Sequence, residues 1–429
     1  MNKKINIGLL GFGVVGSGVV KIFQKNKNII EQRTGVEICL KRIADIDLKK
    51  KRDVKVDKNI LTTDPMNVIN DPQIKIIIEA MGGTHPAREL ILKAINNGKH
   101  IVTSNKEVIA KHGREIFKAA KNKGVDVFIE ATVGGGIPVI RSLKVGLSAN
   151  KIEEVCGIVN GTTNYILSSM SKEQKTFNEV LKKAQKLGYA ESNPKNDIGG
   201  YDPACKLTIL ASIAFGAKVN FKDIYYEGIE NIDIRDIEYA HGFGYEIKLL
   251  VIAKEEKDGL VLKVHPTLVS CDHPLASING VYNSIFIKGN FIQNIMLYGR
   301  GAGAGPTASA VVDDVMDIIY GIEHTLTRRN LIYEFKKRKI IDIKNTESEF
   351  YMRLWVTDKP GVLEKITGIF GKYKVSIMNI LQMDIEKGNA ELVIVTHKVK
   401  EENMHNAVAL IKKLNVVKRV DSLIRVGID

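Results

Sequence analysis

The chain has 429 residues, 44% hydrophobic and 26% charged, which suits about two to four folded domains and excludes a disordered chain. Lys plus Arg number 63 against 49 Asp plus Glu, a net charge of +14, yet only 6% of residues are aromatic and the densest basic run, Lys49–Arg52, is short. The charge therefore reads as a solvated, lysine-rich surface rather than a nucleic-acid face.

The first 130 residues alternate short apolar runs with helical patterns. Ile5–Leu10 reads as a strand, Val14–Phe23 as a helix, Val36–Ala44 as a strand, and Lys75–Ala80 as a strand covered on both faces. A helix over Pro86–Asn97, a short strand Ile101–Thr103, a helix to about Asn122 and a strand Val125–Ile129 follow. This order predicts a doubly wound parallel sheet. Residues 131–300 are mixed, with breaker clusters at Gly134–Pro138 and Gly299–Pro306 and a long polar loop over Gly188–Pro203. Loops of that length inside a compact region are often functional. The stretch 337–350 is polar and reads as a linker. Beyond it, a strand over 351–356, a helix opened by Asp358–Leu363, strands near 376–384 and 390–397, a helix over 401–414 and a strand over 417–426 make a ferredoxin-like βαββαβ unit.

Cys39, Cys156, Cys205 and Cys271 form neither a CxxC pair nor a zinc-finger spacing with His, which points to reduced thiols and a cytoplasmic protein. The apolar stretch after Met1–Lys4 is too short for a signal segment, and no run approaches the roughly 18 apolar residues that span a bilayer.

Gly11-Phe12-Gly13-Val14-Val15-Gly16 is G-x-G-x-x-G placed between a strand and a helix, where its glycines allow a tight turn and close approach of a pyrophosphate. Asp45, at the end of the second strand, is placed to accept from ribose hydroxyls and leans toward NAD; Arg42 and Lys49–Arg52 could instead hold the 2′-phosphate of NADP. Glu130 precedes the glycine loop 134–136, and a carboxylate with convergent carbonyls suits a hard cation, although a helix-start loop without an ion explains the same residues. In the stretch 184–206, Asp202 reads as an N-cap with Pro203 at the first helical position, and Lys206 lies one turn on. Glu191, Asp197 and Asp202 share that polar region with Lys206: carboxylates grip an ammonium group, and a positioned lysine moves a proton. A capped helix with exposed ion pairs is the competing explanation.

Gly11–Gly18, Thr103–Lys106, Glu130–Pro138, Asn160–Tyr165 and the stretch 184–206 together resemble homoserine dehydrogenase over about residues 1–325, and the tail from about 350 resembles an ACT domain through Asp358-x-Pro360-Gly361-Val362-Leu363 and Asn379. The resemblance implies a Rossmann-like NAD(P)-binding domain over 1–130 completed by about 300–325, an α+β substrate-binding and dimerisation domain over 131–300, and an ACT regulatory domain over 351–429. It implies reversible hydride transfer between L-aspartate 4-semialdehyde and L-homoserine with NADP or NAD, in threonine, methionine and isoleucine biosynthesis. Lys206 becomes the acid/base, Lys106 a second lysine near the nicotinamide, and Asp202 and Glu191 hold the substrate's amino end or order Lys206. Asp197, Gly161 and Thr162 line the substrate pocket. Ser104, Lys106 and Gly305 join Gly11–Gly16 and Asp45 at the cofactor. Glu130, with the carbonyls of Val133, Gly135 and Ile137, holds a monovalent cation, usually sodium. Asp358, Gly361, Val362, Leu363 and Asn379 mark an effector site, for threonine, at an interface between two ACT domains, the alternative being a tail that only mediates assembly; the whole is a homodimer or homotetramer. Other readings are a different NAD(P) oxidoreductase, which the 184–206 match opposes, and a silent amino-acid sensor, which would lack Lys106 or Lys206.

Overall fold

The computed structural model describes residues 3–324, 335–386 and 388–427. They fall into two compact units, one within 1–153, 208–221 and 283–337, the other within 154–207, 222–282 and 338–429.

The first unit is built on six parallel strands: β1 (Lys4–Leu10), β2 (Glu37–Ala44), β3 (Leu61–Thr62), β4 (Ile74–Glu79), β5 (His100–Thr103) and β6 (Val127–Phe128), in the order β3-β2-β1-β4-β5-β6. That is the doubly wound dinucleotide-binding order, with ligands expected at the carboxyl ends of the strands. Ile7, Leu9, Ile76 and Ile78 are buried because helices cover both faces of a parallel sheet. Helix α1 (Val14–Lys25) and the helix Ala304–His324 pack on each other over this core, through Val19, Val20, Val311 and Val315. The approach requires Gly18, where a Cβ would lie 2.5 Å from the Ala304 carbonyl oxygen. Helix α2 (Lys106–Lys123) starts directly after β5, capped by Asn105, and ends on Gly124 in the left-handed region. The strands Tyr282–Gly289 and Gln293–Arg300 belong to the same unit. On the second of them exposed residues alternate with half-buried ones; Met296 and Tyr298 are exposed there, as is Phe291 just before the strand.

The second unit carries a sheet in the order β7-β8-β9-β13-β10-β12-β11, where β7 is Ile152–Ile158, β8 Tyr245–Glu256, β9 Gly259–Ser270, β10 Glu347–Thr357, β11 Ile377–Glu386, β12 Asn389–Thr396 and β13 Val417–Val426. Helices α3 (Gly161–Glu173), α4 (Tyr201–Phe215) and α5 (Ile234–Gly242) are strung between β7 and β8; α4 runs on into the first unit after Leu207. The last four strands, in the order β13-β10-β12-β11, with helices α6 (Val362–Lys372) and α7 (Glu401–Ile411), form the ferredoxin-like unit around Phe350, Met352, Leu354, Ile366, Phe370 and Met404. β13 joins β9 in parallel through Thr267–Arg425 and Leu268–Val426.

Two local expectations change. The polar stretch 337–350 is partly built in: Ile340 bridges to Leu260, and β10 begins at Glu347 rather than 351. The long loop over Gly188–Pro203 contains a helical turn, Lys195–Ile198, and α4 begins at Tyr201, so Asp202 lies inside the helix and is not its cap. The Asp202 carboxylate accepts from the side chains of Asn160 and Lys206.

Candidate functional site

In the first unit, the glycine-rich turn sits at the carboxyl end of β1. Gly11 adopts φ +93°, and a Cβ there would lie 2.6 Å from the Ala80 carbonyl oxygen, so no other residue fits. A Cβ on Gly16 would lie 2.1 Å from the Gly11 oxygen, while one on Gly13 would meet nothing within 4 Å. The turn is thus closed against the sheet on one side and bare on the other, where the first N–H groups of α1 can receive phosphates. Phe12 is buried, and its N–H donates to Asp45 Oδ2 at 2.5 Å. Val14 is exposed at the helix start, and Val15 packs on the core.

Asp45 is not an isolated carboxylate. Its Oδ1 accepts from the Asp47 N–H at 2.8 Å and lies 3.3 Å from an Arg52 Nη2. Arg52 donates from Nε to the Phe12 carbonyl at 2.7 Å, and its guanidinium lies 4.5 Å from the centre of the Phe12 ring. Arg52 thus stands apart from the rest of the basic run: Lys50 and Lys51 are exposed, whereas the Arg52 side chain is 8% exposed. At the ends of β4 and β5, Ser104 donates its N–H to the Glu79 carbonyl at 3.3 Å, and Lys106 is the first residue of α2. Gly305 is exposed in the first turn of the helix Ala304–His324.

The Glu130 loop also belongs to this unit. Gly134 and Gly135 both take the left-handed region, at φ +74° and +58°. Gly135 lies against Gly301, where a Cβ on Gly135 would be 2.6 Å from backbone atoms. The Glu130 carboxylate accepts from the N–H groups of Ile140 at 2.8 Å and Arg141 at 2.7 Å, and its own N–H donates to Asp314 at 2.9 Å. Burial pushes the Glu130 carboxyl up to about 7 against those two bonds, and burial with Glu130 nearby pushes Asp314 well above its ordinary value. The carboxylate therefore caps a helical turn, and Val133 and Ile137 of the neighbouring loop are buried. Among the described residues, no group of three or more His, Cys, Asp or Glu could hold a metal ion.

The second unit brings together the residues of the stretch 184–206. Lys206 Nζ donates to Asp202 Oδ2 at 2.7 Å and to the Val159 carbonyl at 2.6 Å. Lys206 is 8% exposed and Asp202 3%, so this i,i+4 pair is a buried one, not a solvated surface pair. Asn160, which sequence reasoning quoted but gave no role, ties the group together. Its Nδ2 donates to Asp197 Oδ1 and to Asp202 Oδ2, each at 2.7 Å, while its Oδ1 accepts from the Thr163 N–H at 2.9 Å and so caps α3. Gly161 opens that helix, 2.8 Å of virtual Cβ distance from the Val281 oxygen, and the Thr162 hydroxyl donates to the Tyr189 carbonyl at 2.7 Å. Glu191 is exposed on the neighbouring loop, where its carbonyl accepts from Gln185. The loop is held from below by Gly200 and Gly228, whose virtual Cβ atoms would lie 2.8 Å from the Glu227 oxygen and 2.0 Å from the Ile198 oxygen. The signal for Asn160 was the order Asn-Gly-Thr-Thr after a strand, which is an N-cap pattern.

In the ferredoxin-like part, Gly361 takes φ +83° as the cap of α6, Val362 is buried, and Leu363 is exposed. Asp358 Oδ1 accepts from Gln382 Nε2 at 3.2 Å, and Asn379 is exposed on β11, the edge strand.

Residues 11–130 match the NAD-binding domain of homoserine dehydrogenase, residues 138–316 match homoserine dehydrogenase, and residues 350–416 match the ACT domain. A homoserine dehydrogenase from Synechocystis sp. is 45% identical, over 98% of this chain and 99% of its own length. The Bacillus subtilis homoserine dehydrogenase is 38% identical over 99% and 98%. Among solved structures, a homoserine dehydrogenase from Thiobacillus denitrificans superposes with a TM-score of 0.93 at 40% identity, over 100% of this chain and 99% of that one. A hyperthermophilic archaeal homoserine dehydrogenase in complex with NADPH superposes with a TM-score of 0.62 at 28% identity, over 73% and 97%.

Proposed function

The chain belongs to the homoserine dehydrogenase family, and from that premise we propose how its residues share the work. It is an NAD(P)-dependent oxidoreductase acting on CH–OH, interconverting L-aspartate 4-semialdehyde and L-homoserine, and it carries an ACT domain. The observation that carries the mechanism is the buried Lys206 held by Asp202 and the Val159 carbonyl, with Asn160 bridging Asp202 to Asp197.

The nicotinamide supplies or accepts the hydride. In the reducing direction the aldehyde oxygen gains negative charge and needs a proton, which the Lys206 ammonium gives; in the oxidising direction the lysine takes it back. Asp202 and Val159 fix the Nζ position, so the proton is delivered at one point. Asp197 and Glu191 receive the substrate's ammonium group, and Gly161 and Thr162 line its pocket. Lys106 acts as the second lysine, next to the nicotinamide with Ser104, and Gly305 lies at the cofactor. The bare face at Gly13 and the closed face at Gly11 and Gly16 support a pyrophosphate at the start of α1.

Arg52 neutralises Asp45, so the ribose end carries little net charge, and the enzyme takes both NAD(H) and NADP(H). The carbonyls of Glu130, Val133, Gly135 and Ile137 hold sodium, a structural ion, since the Glu130 carboxylate is committed to Ile140 and Arg141. The ACT domain takes threonine near Asp358, Gly361–Leu363 and Asn379. The exposed apolar residues Phe291, Met296 and Tyr298, and Met378, Ile380 and Met383 on β11, support a homo-oligomer, a dimer or tetramer. The free cysteines support a reducing, cytoplasmic location.

The test is homoserine-dependent reduction followed at 340 nm with NAD and NADP, with and without threonine, in sodium-containing buffer. Turnover with both nucleotides within about tenfold in kcat/KM supports the neutral ribose end; a preference beyond about a hundredfold sinks it. A threonine effect that Asp358→Ala abolishes without changing basal turnover assigns the effector site.

A further inference from the structure

One charged residue of the nucleotide domain is wholly enclosed where an apolar strand would be expected to continue. Glu79 ends β4 and is 0% exposed. Its Oε2 accepts from the Thr103 hydroxyl at 2.5 Å, across to the last residue of β5. Its Oε1 accepts from the Met81 N–H at 2.8 Å and from Asn105 Nδ2 at 3.4 Å. Its carbonyl accepts from the Ser104 N–H at 3.3 Å. Each of these partners is itself committed. Thr103 Oγ1 accepts from the Asn105 N–H at 2.9 Å, Asn105 Nδ2 donates to the Gly83 carbonyl at 2.7 Å, and Asn105 Oδ1 accepts from the Val108 N–H at 3.2 Å. Met81 in turn lies against the glycine-rich turn, since a Cβ on Gly11 would be 2.9 Å from its nitrogen.

One carboxylate thus joins the exit of β4, the exit of β5 and the cap of α2, at the edge of the sheet where nucleotides bind. A buried carboxylate without such donors would be expensive, so the three elements are selected together or not at all. We propose that Glu79 is a positioning residue: it fixes the first turn of α2, and with it Lys106, relative to the Gly11 turn. It touches neither nucleotide nor substrate; it acts through Asn105, Thr103 and the Met81 turn. This inference rests on the reading of Lys106 as a working residue, and the test separates the two.

The experiment is a cycle of four full-length proteins: the natural chain, Glu79→Gln, Lys106→Met and the double variant. kcat and KM for homoserine are measured at 340 nm, and nucleotide affinity by NADPH fluorescence. Gln keeps the volume and the acceptor for Met81 but reverses the bond to Thr103. Glu79→Gln is expected to lower kcat about 10- to 100-fold, as small misplacements of working groups do, with NADPH affinity changed less than about threefold. In the Lys106→Met background the same change is expected to alter kcat less than about twofold, because the group it positions is gone. An equal fall in both backgrounds would show a generally loosened fold and overturn the proposal, as would an unchanged kcat in Glu79→Gln. If Lys106→Met alone leaves kcat intact, the reading of Lys106 fails. Should Glu79→Gln not fold, Thr103→Val removes the 2.5 Å donor together with the acceptor of the Asn105 N–H and leaves Glu79 in place, and the same cycle applies.

Discussion

Replacing Lys206 by Met separates its chemistry from its place in the fold. The side chain loses two donated bonds, to Val159 at 2.6 Å and Asp202 at 2.7 Å. Loss of a positioned acid/base costs about 10²- to 10⁴-fold in kcat, which at 1.36 kcal/mol per tenfold is about 3–5 kcal/mol of barrier. The variant also takes away the ammonium that donates to Asp202, which is 3% exposed, while the bond from Asn160 stays. A buried charge stripped of its counter-ion costs about 3–5 kcal/mol of stability. The two losses are separable because Asp202→Asn removes the charge that Lys206 balances. Lys206→Met should therefore unfold at lower urea and turn over 10²- to 10⁴-fold more slowly; adding Asp202→Asn should restore much of the stability and none of the turnover. Both are measured on the same samples, by urea midpoints and by homoserine-dependent absorbance at 340 nm, with NADPH fluorescence confirming an intact nucleotide site. A single variant with kcat within about fivefold of the natural chain, or a double variant that regains turnover, would refute the assignment of proton transfer to Lys206.

Gly161→Ala should raise KM for homoserine several-fold while NADPH affinity holds, because its methyl would meet the Val281 oxygen at 2.8 Å and displace the Asn160 cap; an unchanged KM would show that α3 shifts without disturbing Asp197 and Asp202. Arg353 on β10 donates to Asp236 at 2.7 Å and to Glu391 at 2.9 Å, and these carboxylates hold its guanidinium above the ordinary value although burial opposes the charge. Arg353→Met should cost about 3–5 kcal/mol in urea unfolding, and a loss below about 1 kcal/mol would mean the acids find other partners. Burial alone would raise the Glu401 carboxyl, but hydrogen bonds from His405 and Arg425 outweigh it and bring it from 4.5 down to about 2. A depressed carboxylate adds stability above its unfolded value and loses it as the pH falls. About 3 kcal/mol should therefore vanish between roughly pH 4.5 and 2, a slope that Glu401→Gln flattens in urea titrations at several pH values.

Much of the fold was legible because its signals are local. The G-x-G-x-x-G turn is dictated by close backbone approach at Gly11 and Gly16, so no other residue could stand there and the pattern survives in the linear chain. Strand and helix periods located the parallel sheet and the βαββαβ tail to within a few residues, since burial on one face or two imposes them. The Asp202–Lys206 contact was legible for the same reason: four residues on a helix bring two side chains together. The errors were also local. An Asp before Pro looks like a cap, whereas the helix already begins at Tyr201 and the carboxylate accepts from Asn160 and Lys206.

What could not be read is the choice of partner for a buried polar group. Asn160 reaches Asp197 and Asp202 across 37 and 42 positions, and Arg353 reaches Asp236 across 117. No spacing rule connects such pairs; the pairing is set by which strands become neighbours and which loops leave the same edge of a sheet. Glu130 makes the point most sharply. Its place before a glycine loop suggested a carboxylate with convergent carbonyls, and no spacing rule pointed to the N–H groups of Ile140 and Arg141 that its two oxygens accept from. A buried carboxylate is satisfied by whichever donors the backbone brings nearest, and unpaired helix N–H groups are always available at a helix start. The useful sequence signal is therefore a polar residue where the pattern demands an apolar one. Glu79 at the end of Ile74–Ile78 is such a residue, and its burial among Thr103, Asn105 and Met81 shows how much structure one misplaced charge can organise.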